Sequence, residues 1–198
     1  GGATVRFPLG PDRPVAAVVA DVLGAIAALA GPVEINPAPQ EVEWTVPLDR
    51  DEQHRTYDPD AVEGYFAAAT RAATALAEIK APFRGRATPV NAWWGSFDLA
   101  INLFSGSPAE PPSDDFIMRN AMDAQEVAIG WWPGDRRYPR PAFYAYAHPA
   151  PAGFAEGDLG PLGGWNGELG EFVLDDRELA GRDDPHAAAV AFGRAAFR

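Results

Sequence analysis

PVNAWWGSFDLAINLFSG, residues 89–106, is the stretch on which the fold turns. Its second half alternates, with Phe97, Leu99, Ile101 and Leu103 on one side and Asp98, Ala100 and Asn102 on the other. That period of two is the pattern of a half-buried β-strand. Carried backward, the second side takes in Trp94 and Ser96. An indole, a hydroxyl and a carboxylate on one face make it a candidate site wall.

Two further strands flank this one in sequence, Ala124–Trp132 (AQEVAIGWW) and Ala142–His148 (AFYAYAH). Pro/Gly-rich turns at 107–113 and 133–141 separate them, and a short strand follows at Glu171–Leu174. No helix is expected between the three central strands, so antiparallel neighbours are expected. Helices fall outside this block. Pro14 opens one whose stripe is Val15, Val18, Val22, Ile26 and Leu29, stopped by Gly31-Pro32. Asp58-Pro59 starts a second, with Tyr57 stapled on Val62 and a stripe of Val62, Tyr65, Phe66, Ala69, Ala73, Leu76 and Ile79 ending before Pro82. Asp184-Pro185 opens a third that runs to Phe197. Shorter strands are expected at Ala3–Leu9, Val33–Ile35 and Glu41–Val46, with a loop over Leu48–Asp60. The pattern specifies an α+β fold in one domain, a mainly antiparallel sheet with two or three helices packed on one face. The stripes of the first two helices need that sheet to cover them.

Composition narrows the chemistry. The 198 residues include no Cys and three His, and carry a formal charge of −12. Disulfides, thiolate nucleophiles and Cys-based metal sites are excluded. An acidic surface repels phosphates, so neither nucleic acid nor an anionic membrane is an expected partner. The apolar run PVAAVVADVLGAIAALAGPV, residues 14–33, carries Asp21 near its middle, at a cost of about 2.5–3.5 kcal/mol in a bilayer. It reads as a helix of a cytoplasmic protein. The chain opens on Gly1-Gly2 without Met, which leaves room for native sequence upstream.

Trp93-Trp94-Gly95-Ser96-Phe97-Asp98-Leu99-Ala100 with Phe104-Ser105-Gly106 resembles a bacterial family of uncharacterised proteins, known as a domain of unknown function. Glu126-Val127, Gly130-Trp131-Trp132-Pro133-Gly134, Pro141-Ala142-Phe143-Tyr144 with Tyr146, Tyr57-Asp58-Pro59 and Gly170-Glu171-Phe172 extend the resemblance over nearly the whole chain. It implies no activity. It does imply an upstream segment with its own Trp-Trp motif, a diverged copy of Arg86–Gly106, so that this chain is the C-terminal part and holds half of a duplicated sheet. It also implies His where this chain has Asn91 and Gln125, which weakens any histidine-centred mechanism.

The pleat groups the polar side chains. Trp94, Ser96 and Asp98 share a face of the first strand, Glu126, Ala128, Gly130 and Trp132 of the second, and Tyr144, Tyr146 and His148 of the third. If the faces coincide, they form an aromatic-lined pocket with a few polar groups, the makeup of a small-molecule site. This is the leading reading, with Trp94, Ser96, Trp132, Tyr144, Tyr146 and His148 as ligand contacts. The alternative is a carboxylate-based enzyme for hydrolysis or proton transfer, with Asp98 and Glu126 dividing acid and base roles; glycoside cleavage needs such a pair about 5–10 Å apart. A third reading is a partner-binding module with an exposed Trp face. Asp98, Glu126 and His148 could together ligate a divalent metal, but no HExxH or carboxylate run accompanies them, so no metal is expected and the cofactor stays unassigned. Ser96 lacks a nucleophile-elbow context. His54 and His186 read as surface residues, and His148 as an imidazole bonded to a carbonyl. Gly160–Gly167 reads as an irregular loop with Trp165 plugging the core. Arg136, Arg137 and Arg140 read as a solvated basic turn.

Overall fold

The computed structural model describes residues 2–39 and 42–198. They form two compact units, Gly1–Gly64 and Tyr65–Arg198.

The first unit is built on helix α1, Val15–Ala30. Pro14 offers no side-chain cap; the carbonyls of His54 and Asp51 accept from Val15 and Ala16 N–H, both at 3.0 Å, and so satisfy two of the helix's unpaired donors. The strands expected at Ala3–Leu9 and Val33–Ile35 do not form, nor do residues 42–46 of the third; Glu41 lies outside the described residues. Alternation needs a partner ladder to become a strand, and Pro8, Pro32, Pro37, Pro39 and Pro47 remove the donors such a ladder would use. α1 also departs from expectation. None of its residues is buried, and Val22 and Leu29 stay exposed. Ala surrounds the helix on all sides, so its valine spacing selects no single face.

Helix α2, Pro59–Lys80, begins as its sequence dictates, with Asp58 Oδ1 accepting from Asp60 and Ala61 N–H. Only its later part is buried, through Ala69, Ala72, Ala75, Leu76 and Ile79. Val62 and Phe66, expected in the stripe, are exposed.

The second unit carries β1 Asn91–Trp93, β2 Asp98–Pro108, α3 Phe116–Ala121, β3 Ala124–Trp132, β4 Ala142–His148, β5 Gly164–Asn166, β6 Glu171–Asp175, α4 Asp176–Ala180 and α5 Pro185–Phe197. The six strands pair antiparallel throughout in the order β1-β2-β3-β4-β6-β5. The fold is α+β. α3, capped by Asp115, does separate β2 from β3, but its six residues are too few for a parallel crossover. One face of the sheet presents Ile101, Leu103, Ile129, Trp131, Phe143, Phe172 and Leu174 to α2, α4 and α5. β6 forms where a short strand is expected at Glu171–Leu174, and it pairs in a hairpin with β5, which lies in the Gly160–Gly167 stretch read as an irregular loop. Trp165 on β5 packs edge-on against Phe154 and Phe172.

Phe97 is not part of the core face. It sits in the turn at 94–97 with φ 58° and is 63% exposed. β2 starts one residue later, and its core residues are Leu99, Ile101 and Leu103. No helix among the described residues is long and apolar enough to cross a membrane.

α5 meets α2 where Gly193 faces Ile79; a Cβ on Gly193 would stand 2.5 Å from Ile79 Cδ1 and 3.2 Å from its Cγ2. Gly193→Ala should therefore destabilise the second unit by about 1–3 kcal/mol despite alanine's better helix propensity. Urea denaturation checks this; a stabilised variant would show that the helices are not this close.

Candidate functional site

Strand register brings most of the nominated side chains to one face. β3 pairs Gly130 with Ala100, Ala128 with Asn102 and Glu126 with Phe104 on one flank, and Tyr144, Tyr146 and His148 with the same three residues on the other. Directly paired residues point to the same side of a sheet. Asp98, Asn102, Glu126, Trp132, Tyr144, Tyr146 and His148 thus share the face opposite α2 and α5. The β4–β6 register, Tyr144 with Val173 and Ala145 with Phe172, extends to set Glu171 beside Tyr146. The sequence reading did not nominate Glu171 or Asn102. Their signal lay in the face parity of short β6 and of β2 itself.

Two nominated residues are not on this face. Trp94 and Ser96 lie in the turn before β2, and Trp94 is 58% exposed. Gly95 and the left-handed Phe97 close the β1–β2 hairpin there, which ends the alternation that would have aligned them with Asp98. Ser96 still reaches Asp98 by donating to its Oδ1.

The remaining residues divide between two ends. Leu99 pairs with Trp131, so Asp98 lies level with Trp132, whereas Glu126 lies six residues further along β3. At the rise of an extended strand that is about 20 Å, too far for Asp98 and Glu126 to divide acid and base roles or to share a metal with His148.

The Asp98 end is a packed polar cluster. Tyr144 lies across Gly130, where a Cβ would come within 2.2 Å of its Cζ, and its hydroxyl donates to Asp98 Oδ2. Both residues are less than one-tenth exposed. Burial, followed by the Asp98 charge, pushes the Tyr144 phenol well above its ordinary value, so it keeps the proton that it donates. Trp132 packs edge-on against Tyr144 at 5.4 Å, and Tyr146 stacks parallel to it at 6.3 Å. Of the basic turn, Arg137 pairs with Asp135 at 3.2 Å. Arg140 Nε stands 2.8 Å from Asp175 Oδ2, off hydrogen-bond alignment, and Tyr138 donates to that oxygen at 2.8 Å.

The Glu126 end is open. Glu126 is 6% exposed, and Asn102 Nδ2 donates to its Oε2 at 3.0 Å. Asn102 Oδ1 is enclosed with no hydrogen-bond partner among the described residues. Burial raises the Glu126 pKa, against the Asn102 hydrogen bond and the charges of His148 and Arg86. Arg86 stacks over Phe104 at 4.3 Å. His148 Nε2 lies 3.0 Å from the Glu110 carbonyl, so that nitrogen carries a proton and donates it to the carbonyl. A cleft of about 470 Å³ at this end of the sheet is lined by Phe83, Leu103, Gln125, Val127 and Phe197 of the helix-packed side, and takes in Phe104, Glu126 and His148 of the opposite face where the strands end. It lies where the β2–β3 pairing breaks between Phe104 and Pro108. Among the described residues no His, Asp and Glu side chains gather in threes to hold a metal ion.

The two ends respond differently to substitution. Tyr144→Phe leaves Asp98 buried without its phenol donor and should cost about 2–4 kcal/mol, measured by chemical denaturation. Asp98→Asn, which keeps an acceptor, should cost clearly less; equal losses would show that the phenol–carboxylate bond is not what matters. Glu171, between the ends, is raised to about 7 by burial, with Arg137 opposing and Asp98 adding to the rise. A carboxyl raised on folding is neutral in the native state at low pH, and its ionisation costs stability as pH climbs from the unfolded value toward and past 7. Glu171→Gln should gain about 2 kcal/mol over wild type in mildly alkaline buffer, allowing for partial exposure, and nothing in acid. A gain that does not vary with pH would contradict the assignment.

Neither a curated protein nor a solved structure matches the chain. The family model that does match covers residues 1–198 and is described as a family of unknown function, DUF5996. The resemblance carried by the Trp-Trp and Gly-Trp-Trp-Pro-Gly motifs pointed to a family of this kind, and the chain belongs to the DUF5996 family of unknown function.

Proposed function

We propose that the protein binds a small neutral molecule in the cleft at the Glu126–His148 end of the sheet. The observation that carries this reading is Glu126, a carboxylate only 6% exposed that is part of the lining of an apolar-walled cleft. Asn102 takes one glutamate oxygen, and a buried carboxylate asks for further donors. The cleft that Glu126 helps to line has the volume and the apolar walls of a ligand site. Its acidic group, Glu126, accepts hydrogen bonds, so the ligand's head donates them. Arg86 and His148 already offset the Glu126 charge, which favours an uncharged head such as a primary amide or a hydroxyl. Phe83, Phe104 and Phe197 take an apolar or aromatic body. The Asp98–Tyr144 cluster has a supporting role here, holding the strands that set Glu126 against His148.

Benzamide is a fitting probe, with two N–H donors on an aromatic ring. Calorimetric titration should show saturable binding that weakens by about tenfold in Glu126→Gln and is unchanged in Asp98→Asn. Binding that survives Glu126→Gln intact would remove the cleft from consideration.

A further inference from the structure

The first unit carries a carboxylate–imidazole pair that the cleft of the second unit does not explain. Asp51 is fully buried. Its Oδ1 accepts from the backbone N–H of Gln53 at 2.9 Å and of His54 at 3.0 Å, and its Oδ2 lies 2.6 Å from His54 Nδ1. The His54 N–H, the largest influence, with the ring and Gln53 behind it, holds the Asp51 carboxyl below its usual range against the effect of burial. An ionised carboxylate can only accept, so His54 Nδ1 carries a proton, and in the neutral ring Nε2 is the nitrogen with the lone pair. The ring is steadied by Trp44 at 4.6 Å between centroids. The backbone is held too, because the Asp51 and His54 carbonyls accept from the first turn of α1.

His54 opens onto a cleft of about 320 Å³ lined by Leu9, Val15, Val18 and Val19, with Arg13, Arg55 and Tyr57 also facing it. Arg13 is ion-paired with Asp21, and Arg55 donates to the Glu52 carbonyl. The cleft thus brings together an imidazole held by Asp51, two guanidinium groups and apolar walls. That set suits a weakly acidic hydroxyl on an aromatic body, bound as its anion. A surface histidine serving only as a loop staple would need neither the oriented Nε2 nor the cleft before it.

We propose that Asp51 and His54 make this cleft a second ligand site, one that takes a phenol-like compound by accepting its hydroxyl proton. The O–H bond of the ligand breaks, the proton passes to His54 Nε2, and both electrons stay on the ligand oxygen. The resulting imidazolium lies against the Asp51 carboxylate, and the phenolate faces Arg13 and Arg55. No other reactant is consumed.

4-Nitrophenol is the probe, because its phenolate alone absorbs strongly in the visible. In buffer below the probe's own pKa, adding the intact protein should raise phenolate absorbance to a saturating value. His54→Gln should abolish that rise, and Asp51→Asn should weaken binding by about tenfold. Since Asp51→Asn could disturb the loop, nitrogen-15 chemical shifts of His54 in the wild type give a second reading. They should show Nδ1 protonated and Nε2 bare before the probe is added. No absorbance change in the wild type, an undiminished change in His54→Gln, or a proton on Nε2 of the neutral ring would each overturn the proposal.

Discussion

Tyr144 lying across Gly130 and giving its hydroxyl to Asp98 is the contact on which the polar face of the sheet depends. It joins β2, β3 and β4 in one stroke, since the ring belongs to β4, the space to β3 and the acceptor to β2. A residue with any side chain at position 130 would meet the ring, and a sheet slipped by one residue would turn Tyr144 into the helix-packed core. Register is strongly specified where each face has its own chemistry. Here one face is apolar and the other is a layer of phenols, indole and carboxylates.

That contact also decides where a ligand can go. At the Asp98 end the Tyr144 phenol and the Ser96 hydroxyl satisfy the acid, and Trp132 and Tyr138 pack around them. The arrangement spends its polar groups on stability. At the other end the β2–β3 ladder breaks, Phe104 and Glu126 are the last regular pair, and among the described residues an amide oxygen is left without a donor. Two carboxylates of similar burial thus have different prospects. Asp98 already holds two hydroxyl donors, whereas Glu126 has one amide donor and a cleft.

The first unit follows another logic. Its described proline-rich segments form no sheet, and α1 buries no residue, so its order rests on hydrogen bonds between a tight loop and a helix start. Asp51 is the centre of that network, gathering two backbone N–H groups and an imidazole. The same bonds that hold the loop also aim His54.

Short-range rules carried a great deal of this protein in the sequence itself. Asp58-Pro59 and Asp184-Pro185 begin helices because the cap and the preset proline φ act within four residues. β3 and β4 run over the expected spans because alternation with β-branched and aromatic residues needs only a neighbouring strand to become a ladder. The shared face of Glu126, Tyr144, Tyr146 and His148 was legible as parity within each strand. Alternation could not show that a left-handed Phe97 ends β2 and takes Trp94 and Ser96 off the face, because a turn and a strand can share one pattern. Nor could it show that Asp98 and Glu126 stand about 20 Å apart, since distance across a sheet depends on which residues of different strands are paired. The Asp51–His54 bond was hidden for a related reason: the spacing is local, but the burial that gives it meaning comes from the helix start folded onto it. Local propensity determined the elements of this chain, and pairing between elements decided which of its polar groups meet.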